Sequence, residues 1–222
     1  MAAIATLVSF ALVVYSNFGL RGGIHVVADM GETMRRVVAA ESRFRLSMAL
    51  DLAYCAGIAL GAAALYVILR STSRLVALSA LLLKLLYAGT SVLMVLSLGN
   101  VATLATNPNF QHSEDTLHAM MRLQWRAAGQ QYYVGLTFWA FSATLFAWLW
   151  LRSRFIPRPL AIFGLVMSAW CLFCAVAYII EPAFSKVVNL WLFDVGMALF
   201  DMALSVWLLT GGLRLNGGSE TG

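Results

Sequence analysis

Six stretches of the chain run for about 20 residues with scarcely a charged side chain, at 2–20, 47–69, 75–98, 132–151, 160–180 and 189–210. A helix needs roughly that many apolar residues to cross the hydrocarbon core of a bilayer, where its backbone polar groups must all be satisfied internally. The pattern therefore predicts an all-α, polytopic membrane protein with six transmembrane helices. They form one transmembrane domain over 1–210, followed by a short polar tail at 211–222. The first stretch has no basic leader and no small-residue cleavage pattern before Arg21, so it reads as a retained helix and not as a signal peptide.

Between the apolar stretches the connections alternate in character. Those at 70–74 and 152–158 are tight, and the second, RSRFIPRP, is a helix stop followed by a start, since proline breaks one helix and suits the first turn of the next. The long connections predict interfacial helices. In the first, Glu32 with Arg36 and Glu41 with Arg45 stand one turn apart, while Met30, Met34, Val37 and Val38 share a side. In the second, Asn107, Pro108 and Asn109 make a turn, Ser113 suits an N-cap, and Glu114 and Asp115 fall where the helix dipole favours anions. Whether that helix runs on into the fourth span is left open by the pattern. Gly211 and Gly212 end the sixth span.

Composition sharpens the class. Hydrophobic residues make up 61% of the 222 and charged ones 11%, which excludes a disordered chain and a soluble nucleic-acid binder despite a net charge of +5. The expected partner is the lipid bilayer, with no nucleic acid. Three cysteines, Cys55, Cys171 and Cys174, all within apolar runs, do not describe a disulfide framework. An even number of spans puts both termini on one side, together with Arg70, Arg74, Arg152, Arg154, Arg158 and Arg214. The other side mixes Arg21, Arg35, Arg36, Arg43, Arg45, Arg122, Arg126 and Lys186 with carboxylates. Basic density in short loops points to cytoplasmic termini in the cytoplasmic (inner) membrane, against the simple count of basic residues, which points the other way.

The candidate chemistry lies in four ionisable residues within spans, each costing about 2.5 to 3.5 kcal/mol at a helix centre unless partnered. Lys84 and Asp201 lie at matched depth and are expected to form a buried ion pair. Asp51 and Asp194 belong to the half with the long loops and are the candidate catalytic acid and base, one with its affinity for a proton raised by burial. Around them His25, His118, Arg122, Trp125, Arg126 and Tyr133 form a candidate ligand-binding rim. His25, His112 and His118 all lie outside the spans, which argues against a haem held between helices, and no metal or cofactor is expected. Glu114 and His118 share a helical side, yet a solvated helix start explains them as well. The C-x-x-C of Cys171 and Cys174 lies deep in an apolar run and reads as packing.

At 65–88 (LYVILRSTSRLVALSALLLKLLYA), 153–164 (SRFIPRPLAIFG) and 204–212 (LSVWLLTGG) the chain resembles a family of bacterial six-helix integral membrane proteins catalogued only as a domain of unknown function. The likeness covers roughly 43–214. The family pattern has a basic residue, usually Arg, in the third span and a carboxylate six before the terminal Trp. Lys84 and Asp201 occupy those positions, with Lys lacking the bidentate reach of Arg. The resemblance implies six helices and a bacterial membrane, and it implies no activity.

Three functions fit these residues. The first is binding or acid/base conversion of a small lipid-soluble or amphiphilic molecule in an outer-half cavity lined by Asp51 and Asp194. The second is a non-catalytic structural, regulatory or receptor subunit. The third, transport, lacks paired Gly and Pro interruptions at the midplane.

Overall fold

The computed structural model describes residues 2–26, 29–107 and 113–212, without the side chains of 182, 185 and 190–192. The Pro108 and Asn109 turn, His112, Arg214 and the tail from 213 lie outside the described residues. Among those described there are seven α-helices and no strand: α1 (Ala2–Val14), α2 (Met30–Ala39), α3 (Glu41–Leu69), α4 (Arg74–Thr106), α5 (Glu114–Ser153), α6 (Arg158–Ile180) and α7 (Leu190–Thr210). Six helices are long and apolar enough to span a bilayer, α1 counting with its continuation to Leu20.

The helices outrun the apolar stretches. α4 has 33 residues and α5 has 40, or roughly 50 and 60 Å at 1.5 Å per residue, against about 30 Å of hydrocarbon. The second long connection therefore builds no separate helix, because α5 runs unbroken from Glu114 through the fourth span. The first connection does build one. α2 is a 10-residue amphipathic helix, capped by Asp29, whose carboxylate accepts the Glu32 backbone N–H at 2.9 Å, and it buries Met30, Thr33 and Val37.

The chain divides into two compact units, each crossing several helices. Unit 1 takes in the described residues up to Leu7, Ile58–Tyr87 and the described residues from Leu136 on. Its core gathers Leu69, Ala77, Phe146, Leu149, Trp150, Ile156, Ala161, Phe200 and Leu204. Unit 2 takes in Val8–Gly57 and Ala88–Gly135, with Ile24, Met30, Val37, Phe44, Val101 and Met121 at its centre. Large apolar side chains such as Leu60, Leu75, Leu82, Phe173 and Val206 stay outside both cores, as a lipid-facing surface requires.

In unit 1 the turn after α5 stops the helix with Arg154 at φ 59, its N–H donating to the Trp150 carbonyl at 3.2 Å. Pro157 then leads into α6, which packs along α7. Two glycines set how closely. A Cβ at Gly164 would meet the Phe200 ring at 2.3 Å, and one at Gly196 would meet the Met167 sulfur at 2.5 Å. Because Phe200 is itself buried, it has little room to retreat, while Met167 is flexible. Gly164→Ala should therefore destabilise the protein by about 1 to 3 kcal/mol, and Gly196→Ala by less. Thermal unfolding in detergent, followed by aggregation of purified protein, checks the order of the two.

Candidate functional site

Unit 2 encloses the Asp51 carboxylate on α3. After Val14 the first span continues as a π-helical turn, Tyr15–Leu20, in which Ser16 is buried and which Arg21 caps at its C-terminal end. Ser16 Oγ lies 2.7 Å from Asp51 Oδ1 and 2.9 Å from the Ser47 carbonyl, donating toward both. Arg21 Nη1 donates to Asp51 Oδ2 at 2.5 Å, and Arg21 Nη2 donates to Asn17 Oδ1 at 2.8 Å. Only 9% of the Arg21 side chain and 3% of that of Asp51 are exposed. Each carboxylate oxygen thus accepts from a protein donor, with almost no open face left.

Other arginines hold the chain that leads away from this pair. Arg43 Nη2 donates to the carbonyls of Gly19 at 3.3 Å and Leu20 at 3.2 Å, and Arg36 Nη1 to that of Gly23 at 2.5 Å. These are carbonyls at a helix C-terminus, where cationic donors are favoured. Glu32 pairs with both Arg35 and Arg36, whose hydrogen bonds hold its carboxyl below the usual range.

The expected ligand rim is only partly gathered. His25 stacks on Trp125 with centroids 4.3 Å apart and planes at 14°, and Phe44 tilts against the same indole at 6.2 Å. Burial pushes the His25 imidazole below its ordinary value, favouring the neutral ring. His118 lies against α2, where a Cβ on Gly31 would approach its ring at 3.2 Å. Arg122 and Arg126 are exposed on α5, and Tyr133 meets Tyr132 edge to face at 5.4 Å.

A different part of unit 2 forms a cleft of about 280 Å³, lined by Asn100, Thr103 and Leu104 of α4 and Met120, Leu123 and Gln124 of α5. Asn100 Nδ2 donates to Gln124 Oε1 at 3.2 Å beside it, and Ser97 Oγ donates to Gln131 Oε1 at 3.0 Å further along. None of the six lining residues was among those singled out from the sequence. The available signal was polar spacing: Ser97, Asn100 and Thr103 recur every three residues in the last part of α4, and Gln124 and Gln131 stand seven apart on α5.

Unit 1 gathers the remaining ionisable residues. Lys84 of α4 is buried, with its ammonium 5.1 Å from the centroid of the Trp139 ring of α5. Asp201 of α7 and Cys171 of α6 lie within electrostatic reach of Lys84, and Asp194 within reach of Cys171. Among the described residues no carboxylate makes a direct ion-pair contact with Lys84. Asp194 thus belongs to unit 1, within electrostatic reach of Cys171, while Asp51 belongs to the Arg21 group in unit 2.

Six apolar helices with ionisable groups held inside them define a helical membrane protein of the multi-pass class. The chain belongs to the family described as domain of unknown function (DUF4386), whose model matches residues 1–212. No curated protein and no solved structure matches it.

Breaking the Asp51 pair from one side leaves a buried charge without its partner. Arg21→Leu should cost on the order of 3 to 5 kcal/mol, and Arg21→Leu combined with Asp51→Leu should recover much of that loss. Unfolding midpoints of the two single variants and the double variant give the coupling, and additive losses would refute it.

Proposed function

We propose that this is a membrane protein that binds a small amphiphile at the polar end of unit 2 without converting it. The observation that carries this reading is the cleft between α4 and α5, where Asn100, Thr103 and Gln124 offer hydrogen bonds beside Leu104, Met120 and Leu123. A polar head and a short apolar tail fit such a lining, since ligand sites pair a mostly apolar wall with a few placed polar groups. Exposed Arg122 and Arg126, near the same end of α5, favour a head that is neutral or anionic. The state of Asp51 supports binding over catalysis. A general acid or base must reach the proton it moves, and both oxygens of Asp51 are taken by Ser16 and Arg21.

Protein purified in mild detergent should retain a specific small molecule, seen as a fixed mass increment by native mass spectrometry. Gln124→Leu and Asn100→Leu should lose it, and Asp51→Asn should keep it provided the variant folds. Retention unaffected by either cleft substitution would reject the site. Turnover of the retained molecule that Asp51→Asn alone abolishes would restore the acid/base reading.

The orientation we propose has both termini cytoplasmic, because the turns at 70–74 and 152–158 concentrate arginine without acid. A cysteine placed in 70–74 should resist an impermeant thiol reagent added outside intact cells, while one placed in 108–112 should react. The opposite pattern inverts the topology.

A further inference from the structure

Two hydrogen-bond donors on buried residues meet in unit 1. Among the described residues the Trp139 Nε1–H is buried with no hydrogen-bond partner, and above the same indole stands the Lys84 ammonium, with which no described carboxylate makes an ion-pair contact. Tyr87 stacks with the same indole, its ring 5.7 Å from that of Trp139 at 20°. Unsatisfied donors are costly in a medium without water, so a site that keeps two of them together asks for acceptors.

The surroundings narrow what those acceptors can be. Lys84 is the eleventh residue of α4, roughly 15 Å along the helix from Arg74, which is about half the hydrocarbon thickness. Phosphates and ester carbonyls of lipid headgroups do not reside at that depth. Charge excludes another class. Asp201 lies within electrostatic reach of the ammonium and offsets its charge, so the site has no surplus of positive charge to favour an anionic ligand. What remains is a neutral, membrane-soluble molecule with acceptor oxygens. The donors differ in direction, one over the face of the indole and one in its plane, so two acceptors on a flat ring meet them better than a single ketone.

We propose that unit 1 binds a membrane-soluble quinone, its carbonyl oxygens accepting hydrogen bonds from the Lys84 ammonium and the Trp139 Nε1–H. The indole and Tyr87 supply the flat apolar surface on which the ring rests. Lys84 and Trp139 are binding residues in this site, and Asp201 balances the lysine charge from beside it.

The test uses the full chain in phosphatidylcholine nanodiscs with decyl-ubiquinone as probe. Bound quinone is measured by extraction and absorbance after gel filtration, with empty nanodiscs subtracted. Saturable binding near one per protein is expected, with the dimethyl ether analogue that lacks both carbonyls and a straight-chain ketone of equal length binding far more weakly. Lys84→Met and Trp139→Phe should each weaken binding by about tenfold, the usual scale of one lost hydrogen bond to a buried or charged donor, and Lys84→Arg should retain it. Gln124→Leu should leave quinone binding unchanged, so this result and that for the α4 and α5 cleft are read separately. If Lys84→Met does not fold, Trp139→Phe decides alone, since it removes the indole N–H and keeps an aromatic ring. Equal binding by the ether analogue, or full affinity in Trp139→Phe, overturns the proposal.

Discussion

A bilayer offers no water to complete an unmet hydrogen bond, and the polar architecture of this chain follows from that one constraint. Inside unit 2 it is met at Asp51. A carboxylate with 3% of its side chain exposed is tolerable only because Arg21 and Ser16 each donate to one of its oxygens. Ser16 lies within the π-helical turn at Tyr15–Leu20 and Arg21 is its C-cap, so the backbone irregularity and the donors to the buried carboxylate fall at the same place in the chain.

The same constraint extends outward along the first connection. The carbonyls of Gly19, Leu20 and Gly23, left over as the first span ends, are met by Arg43 and Arg36. Those arginines come from α2 and α3, and α2 is positioned by its Asp29 cap and by Thr33, whose hydroxyl donates to the Asp29 carbonyl at 2.9 Å and accepts the Val26 N–H at 3.0 Å. Basic residues that look in sequence like a topology signal are thus also structural donors. Unit 1 resolves its polar groups differently. Ser142 donates to the Ala80 carbonyl at 2.6 Å and Ser168 to that of Gly164 at 2.7 Å, so the small hydroxyls are satisfied by backbone while Lys84 rests on an aromatic face.

The two units consequently carry different kinds of chemistry. Unit 2 combines paired charges, a stacked His25 and Trp125, and an open cleft with both polar and apolar lining. Unit 1 sets the Lys84 ammonium over the Trp139 indole inside apolar helices. Membership of a family without an assigned activity leaves these geometries as the physical grounds for function.

The helix count, the α2 segment and the Arg152 to Pro159 break were legible in the sequence, because spans, amphipathic faces and proline signals are local and repeat at the period of a helix. So was the identity of the costly residues, since Asp51, Lys84, Asp194 and Asp201 stand out against apolar neighbours whatever the fold. Their partners were not legible. Arg21 is 30 residues from Asp51 and Trp139 is 55 from Lys84, and hydropathy says nothing about which helix faces which. Nor does periodicity foresee a π-helical turn, or the meeting of Asn100 with Gln124 across two helices. Local patterning tells how many helices are long and apolar enough to span a bilayer and which residues within them need partners. What those partners are emerges from the folded chain, because hydrogen bonds and ion pairs depend on distances of a few ångströms between segments far apart in sequence.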